Sequence, residues 1–169
     1  MSTAETQQTQ IPAGTWTVDP VHSAVEFNVF DSELMSNIRG RFTDFEGTIE
    51  LNGEPQSWRA QGVIRTASVS TDNEKRDAHL RSADFFDADR FPEIRFESNR
   101  VEQQGDKLHI VGRLTIKEQT HEVELDASIL GTGVGQMAGD ERIVLEAGGG
   151  FEWASTSVKI TTNISATKA

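Results

Sequence analysis

Apolar side chains recur at every second position along most of this chain. Trp16 and Val18 alternate with polar neighbours, and so do Val25, Phe27 and Val29. The pattern resumes at Ile49 and Leu51, at Ile64, at Ile94 and Phe96, and at Leu108, Ile110, Leu114 and Ile116. It continues through Val123, Leu125, Ala127 and Ile129 and closes with Val158, Ile160 and Ile164. A two-residue period sends successive side chains to opposite faces, so each run has one apolar and one polar side, the mark of antiparallel sheet. Turn-forming residues fall between the runs, at Asn52-Gly53-Glu54-Pro55, at Gln104-Gly105-Asp106, and in a loop expected from Gly131 to Asp140. Gln103 to Asp106 joins two alternating runs and reads as a hairpin.

One segment departs from the pattern. Between Asp72 and Asp89 good helix formers dominate, with Leu80 and Phe85 or Phe86 at near-helical spacing, so a helix is expected there, capped by Asp72 or Asn73. Pro92 forbids its extension and suits the start of the next strand. A second short helical turn is expected at Ser32–Asn37. About eight strands with one helical excursion fit either a sandwich or a closed barrel. Runs such as Arg39–Asn52 and Leu108–Ile116 are long, and closure would remove the edges that long strands otherwise expose.

Composition narrows the functional classes. The 169 residues suit one domain, expected over residues 14–169, and the polar stretch Met1–Ala13 is expected to be a disordered leader. The leader has neither a basic start nor an apolar run, so no secretory signal is visible and a cytoplasmic location is expected. No run approaches the roughly 20 apolar residues of a membrane span. With no cysteine there is no disulfide, thiolate nucleophile or thiolate metal site. A formal charge of −11 disfavours nucleic acid and anionic membrane surfaces, both of which recruit Lys and Arg. Nine phenylalanines stand beside no tyrosine, so most of the aromatic surface has no polar handle.

Specific motifs carry a family resemblance. Trp16-Thr-Val-Asp19-Pro20-Val-His22-Ser23-Ala-Val25-Glu-Phe27 and Gly40-Arg-Phe42-Thr-Asp-Phe45-Glu-Gly47 open it. The densest part is Ser68-Val-Ser-Thr71 followed by Arg76-Asp77-Ala-His79-Leu80-Arg81-Ser82-Ala-Asp84-Phe85-Phe86-Asp87. Phe91-Pro92-Glu-Ile94-Arg-Phe96 and Gly112-Arg-Leu114-Thr115-Ile116 extend it to about residue 130, beyond which the match is poor. In these residues the chain resembles the YceI-like family of lipocalin-like proteins. The resemblance implies an all-β fold: an extended eight-stranded antiparallel lipocalin-like β-barrel with one short helical segment between strands. It also implies binding of a polyisoprenoid chain, such as an isoprenoid quinone, in an apolar lumen, with no cofactor chemistry.

On that reading Val25, Phe27, Phe42, Ile64, Phe86, Ile94, Phe96, Leu114 and Val123 line the lumen. The same side chains would equally fill a small barrel, since eight strands enclose a bore just wide enough to pack itself. Arg76, Asp77 and His79 form the most enzyme-like cluster, with Asp77 orienting His79 as a base or both joining Asp84 on a metal. Residues two apart on a helix diverge, however, which favours a structural role in closing one barrel end. Asp19, His22 and Ser23 have the residue types of a triad, but nothing around Ser23 resembles a nucleophile elbow, and the segment reads as a turn. His109 points outward from its strand, and His121 falls in a polar stretch. The four histidines lack metal-ligand spacing, so no metal and no cofactor beyond a bound isoprenoid lipid is expected. Gly131–Gly135 lacks the Lys-Ser/Thr of a phosphate loop, and Gly148–Gly150 is expected to mark a kink, bulge or close backbone approach. The expected partner is an apolar small molecule or lipid, with no nucleic acid, no membrane span and a homodimer left open. A non-enzymatic carrier or reservoir leads; a hydrolase, isomerase or cyclase using the same pocket, or a filled-barrel stress or interaction module, stands as the alternative.

Overall fold

The computed structural model describes residues 12–31, 36–134, 140–153 and 156–169. Eleven strand segments follow one another: β1 (Thr15–Val18), β2 (Ala24–Asp31), β3 (Ser36–Phe42), β4 (Phe45–Glu50), β5 (Arg59–Arg65), β6 (Val69–Ser70), β7 (Glu93–Gln104), β8 (Lys107–Ile116), β9 (Gln119–Val134), β10 (Glu141–Trp153) and β11 (Thr156–Lys168). One α-helix, α1 (Glu74–Arg81), lies between β6 and β7.

The segments make eight walls because three walls are broken. β1 and β2 form one, β3 and β4 the next, and β5 and β6 the third, as their shared neighbours show: β1 pairs with β4, β2 with β3, and β3 with β6. β4, β5 and β7 then pair in turn, and β7 through β11 follow as successive antiparallel neighbours. β11 closes the sheet on itself by pairing with both β2 and β1, for example Ile160 with Phe27 and Ala166 with Val18. The result is a closed eight-stranded antiparallel barrel, one of the two architectures the alternation left open and the one the family resemblance implied.

Several local expectations change. Helix α1 ends at Arg81, eight residues short of Asp89. Ser82 is extended and donates its hydroxyl to the His79 carbonyl, and Asp87 adopts a left-handed φ of 49°, so the chain leaves the helix in tight turns. Asn73 caps its start by accepting from the Arg76 amide. The run Arg39–Asn52 is interrupted at Thr43-Asp44, where both residues bond to the third wall instead. Gly131–Val134 is strand rather than loop, paired with Glu141–Val144, and a bulge at Leu130 carries the ladder past it. Ser36 and Asn37 are strand; the remainder of the expected turn at 32–35, residues 135–139 of the expected loop, and residues 1–11 of the expected leader lie outside the described residues. Gly149 is a close backbone approach, since a Cβ there would overlap the Glu124 carbonyl.

The interior is organised along the barrel axis. At the end holding β1 and the last residues of β11, Trp16, Leu51, Trp58, Val101, Leu108, Ala127, Ile143 and Ala166 pack into one cluster. At the other end Phe42, Val69, Phe86, Ile94, Leu114, Ile116 and Val123 form a second.

Candidate functional site

The site is the space between these two clusters. In the terminal plug Trp16 is 1% exposed and Ile143 is fully buried, and the Trp58 indole N–H donates to the Gly53 carbonyl at 3.2 Å, which fixes the plug to its own loop. In the opposite cap, the segment after α1 folds back so that Phe86 enters the barrel mouth. Its ring stacks on Trp153 at 5.0 Å between centroids and meets Phe42 edge-on at 5.7 Å. Phe85 sits over the same tryptophan at 6.4 Å.

Between the ends, the inward side chains are apolar yet only partly buried. Ladder partners share a face, and Val25, Phe27, Ile64, Phe96, Ile110, Leu125, Leu145, Ile160 and Ile164 all fall on the inner one. Every one of them retains some accessible surface, as do Ile49 and Ile129 toward one end and Phe151 and Trp153 at the other, whereas Trp16, Ile143 and Val123 are fully buried. Val25, Phe27, Ile64, Phe96 and Ile160 pack against the cap, and Ile110, Leu145 and Ile164 against the plug, so the middle of the bore is lined by partly buried apolar side chains. Two phenylalanines contribute to this by lying flat on the wall. Phe27 faces Gly40 on the neighbouring strand, where a Cβ would stand 2.7 Å from its Cε1; Phe96 lies likewise against Gly112, at 2.6 Å. Glycine at those positions lets each ring rest against backbone rather than cross the bore.

All nine lumen residues expected from the sequence face inward, but they divide by place. Val25, Phe27, Ile64 and Phe96 are partly buried and pack against the cap, and Phe42, Phe86, Ile94, Leu114 and Val123 are its buried members. The part of Trp58 in the terminal plug was not evident in the sequence, because it stands outside the alternating runs that carry Leu51 and the other inward residues.

The enzyme-like cluster comes apart. Asp77 is buried and accepts from the Thr71 amide at 2.7 Å and the Thr71 hydroxyl at 2.6 Å. Arg76 reaches the same threonine, with Nε on its hydroxyl at 2.8 Å and Nη2 on its carbonyl at 3.0 Å. His79 points elsewhere, pairing with Asp84 at 2.9 Å on the exposed side and stacking edge-on with Phe85. Arg76 and Asp77 thus anchor α1 to the strand end it leaves. Among the described residues no group of three or more His, Asp or Glu side chains is arranged to hold a metal.

The Asp19–Ser23 segment is a turn with a hydrogen-bonded frame. Asp19 accepts from the Val21 amide, from His22 Nδ1 at 2.7 Å and from Arg142 Nη1 at 2.9 Å. These donors, His22 first and Arg142 next, lower its pKa to about 2. Ser23 turns away from His22 and donates to the Ser165 carbonyl, so no triad forms. Because the first wall breaks at residues 19–23 and the second at 43–44, no ladder joins them there, and a depression of about 260 Å³ opens between them. Pro20, Val25, Phe42 and Phe45 line it together with the charged Glu26 and Arg41. On the outer wall His109 stands between Asp126 at 3.0 Å and Glu124 at 3.1 Å; these hydrogen bonds, Asp126 first, raise its pKa. His121 differs from its sequence reading: it lies opposite Leu114, faces inward, and has its ring 5.5 Å from Phe151.

Comparison with known proteins accords with this architecture. Residues 16–167 match the YceI-like domain family, so the match runs well past residue 130, where the motif resemblance fades. Protein YceI of Salmonella newport is 37% identical over 113 residues, 66% of this chain and 59% of that protein. Protein YceI of Shigella flexneri is 36% identical over 121 residues, 71% of this chain and 63% of that protein. The matched part therefore spans about three fifths of these relatives. Among solved structures, BcnA of Burkholderia cenocepacia superposes with a TM-score of 0.75 at 18% identity, covering 88% of this chain and 98% of that one. A polyisoprenoid binding domain from Saccharophagus degradans, implicated in plant cell wall breakdown, superposes at 0.69 and 15% identity, covering 94% and 100%. Both share the fold.

Proposed function

The chain belongs to the YceI-like domain family, and from that premise we propose that it binds a long apolar chain of isoprenoid type inside its barrel, as a carrier or reservoir rather than a catalyst. One observation carries the reading: the inward face between the Trp16 and Phe86 ends is lined by apolar side chains that keep some accessible surface. Burying a methylene contributes roughly 0.8 kcal/mol, so a chain of a few isoprene units needs no polar contact to be held. An isoprenoid quinone or polyprenyl compound has the long, narrow, branched shape that such a bore accepts. The polyisoprenoid-binding domain of the same fold supports the assignment.

The framed turn at Asp19–Ser23 supports a lateral way in. With one mouth plugged by Trp16 and Trp58 and the other by Phe86, the unpaired stretch beside Val25 and Phe42 is where a chain would thread. The exposed side chain of Val21, 85% accessible, stands on the turn beside that stretch as an apolar first contact.

A carrier is favoured over an enzyme by the disposition of the polar side chains. His79 with Asp84 and His22 with Asp19 are exposed pairs on the outside, and neither is joined to a hydroxyl nucleophile. Solvent extraction of the purified protein followed by mass spectrometry tests the proposal. A co-purifying prenyl lipid in near-equimolar amount is the expected result. Protein that carries no lipid and takes none up from added prenyl alcohol would refute it.

A further inference from the structure

The buried polar groups of this barrel are nearly all paired. Thr66 donates to the Phe91 carbonyl, Thr71 and Asp77 bond each other, and Ser165 is held by Ser23 and Arg142. Among the described residues two buried side-chain nitrogens lack any partner: Trp16 Nε1 and His121 Nε2. Solvent touches neither atom, but the two residues differ in place. Trp16 is 1% exposed and belongs to the terminal plug. His121 is half-buried, on the inner face of β9 at the capped end of the open bore, beside Leu114 and Phe151.

An imidazole among apolar side chains with its Nε2 unpaired forgoes a hydrogen bond, a cost that a buried polar atom does not normally carry. A ligand lying in the bore can remove that cost if it brings an oxygen to this point and the partly exposed ring turns its Nε2 to meet it. We infer that His121 hydrogen-bonds the polar head of the bound chain, which orients the ligand with its head at the Phe86–Trp153 cap and its hydrocarbon toward Trp16. This deepens the binding proposal above and rests on it. The head it fits is a neutral oxygen, a hydroxyl or carbonyl. A neutral imidazole meets a hydroxyl in either tautomer and a carbonyl through Nε2–H. A diphosphate would require the Lys and Arg clustering that recognises anions, and here the contact is one histidine between Leu114 and Phe151 in a chain of net charge −11.

The experiment compares two probes of the same carbon skeleton, geranylgeraniol and its saturated hydrocarbon phytane, titrated into delipidated protein and followed by tryptophan fluorescence. Wild type is expected to bind the alcohol about five- to tenfold more tightly than the hydrocarbon, the worth of one hydrogen bond to a buried group. His121→Leu should erase that preference while leaving phytane binding unchanged or stronger, and His121→Gln should keep part of it. Trp16→Phe should leave the preference intact. The His121 Nε2 nitrogen resonance should shift with the alcohol and not with phytane, a readout that a merely structural histidine would not give. Equal binding of the two probes by wild type, or a preference that survives in His121→Leu, overturns the inference while the binding proposal stands. A preference lost in Trp16→Phe instead places the head at the other end and overturns it equally. Uptake of neither probe refutes the binding proposal, and the orientation with it.

Discussion

Gly40→Ala separates an open bore from a packed one. Within contact range of the added methyl the structure places the ring of Phe27, with Cε1 at 2.7 Å and Cε2 at 2.9 Å from the new Cβ. Gly40 has no left-handed φ, so alanine fits the backbone, and the strand gains the few tenths to about 1 kcal/mol that replacing glycine commonly contributes through the unfolded state. The ring must therefore swing off the wall. If the bore is open, it moves into free space at little cost, and the two effects leave stability within about 1 kcal/mol of wild type. If the bore is packed, the displaced ring overfills it, which costs about 1–3 kcal/mol. Ligand binding changes in the opposite sense. A ring projecting into the bore displaces contact with about two methylenes of a bound chain, roughly 1.5 kcal/mol or about tenfold in affinity for geranylgeraniol. Urea unfolding of the ligand-free protein, with tryptophan fluorescence as the signal, gives the first quantity, and titration with the alcohol gives the second. Nearly unchanged stability with about tenfold weaker binding is expected. A loss of 2 kcal/mol or more at an unchanged m-value would refute the open bore.

Three further perturbations probe the frame around the site. Asp77→Ala leaves the Thr71 amide and hydroxyl without their acceptor and should cost about 1–3 kcal/mol, with faster amide exchange in α1 than in β8 as the local signature. Asp19 has its pKa lowered from 3.8 to about 2, so its stabilisation is complete above pH 4 and disappears as pH falls through 2. Asp19→Asn should therefore be less stable at neutral pH by about 1 kcal/mol, the full shift being reduced by solvent screening, and the gap should narrow in acid unfolding toward pH 2. His109 has its pKa raised above 6.5, so its contribution is fully present below pH 6.5 and is lost as pH rises through the higher folded value; NMR titration of the native protein should find that raised pKa, and His109→Gln should match wild type only in alkaline solution.

What the residues disclosed and what they hid follow from the range of the forces involved. Alternation is local and survives in one strand at a time, which is why Val25, Phe27, Ile64 and Phe96 could be assigned inward before any pairing was known. That Asp77 and His79 do not share one site was legible, because residues two apart on a helix diverge. The length of α1 was overread, since helix formers from Ser82 to Asp89 are overridden by the burial of Phe86 against Trp153, a contact between residues 67 positions apart in the chain. Gly131–Val134 looked like a loop because glycine favours no face, yet its backbone is committed by the ladder to β10. His121 was hidden by polar neighbours on both sides. Counting back by twos from Val123 along the same strand is the signal that would have placed it inside. The plug at Trp58 had no such signal, because a loop residue has no period.

The account turns on the bore being a space that apolar chain fills. Its most direct test is the affinity of delipidated protein for geraniol, farnesol and geranylgeraniol, which share a head group and differ by one isoprene unit at each step. Five added carbons at roughly 0.8 kcal/mol each, with about half of that realised in the bore, predict a gain of about 2 kcal/mol, or roughly 30-fold, per step. Affinities that climb in this way support chain binding inside the barrel. Affinities that are weak and independent of chain length would contradict it.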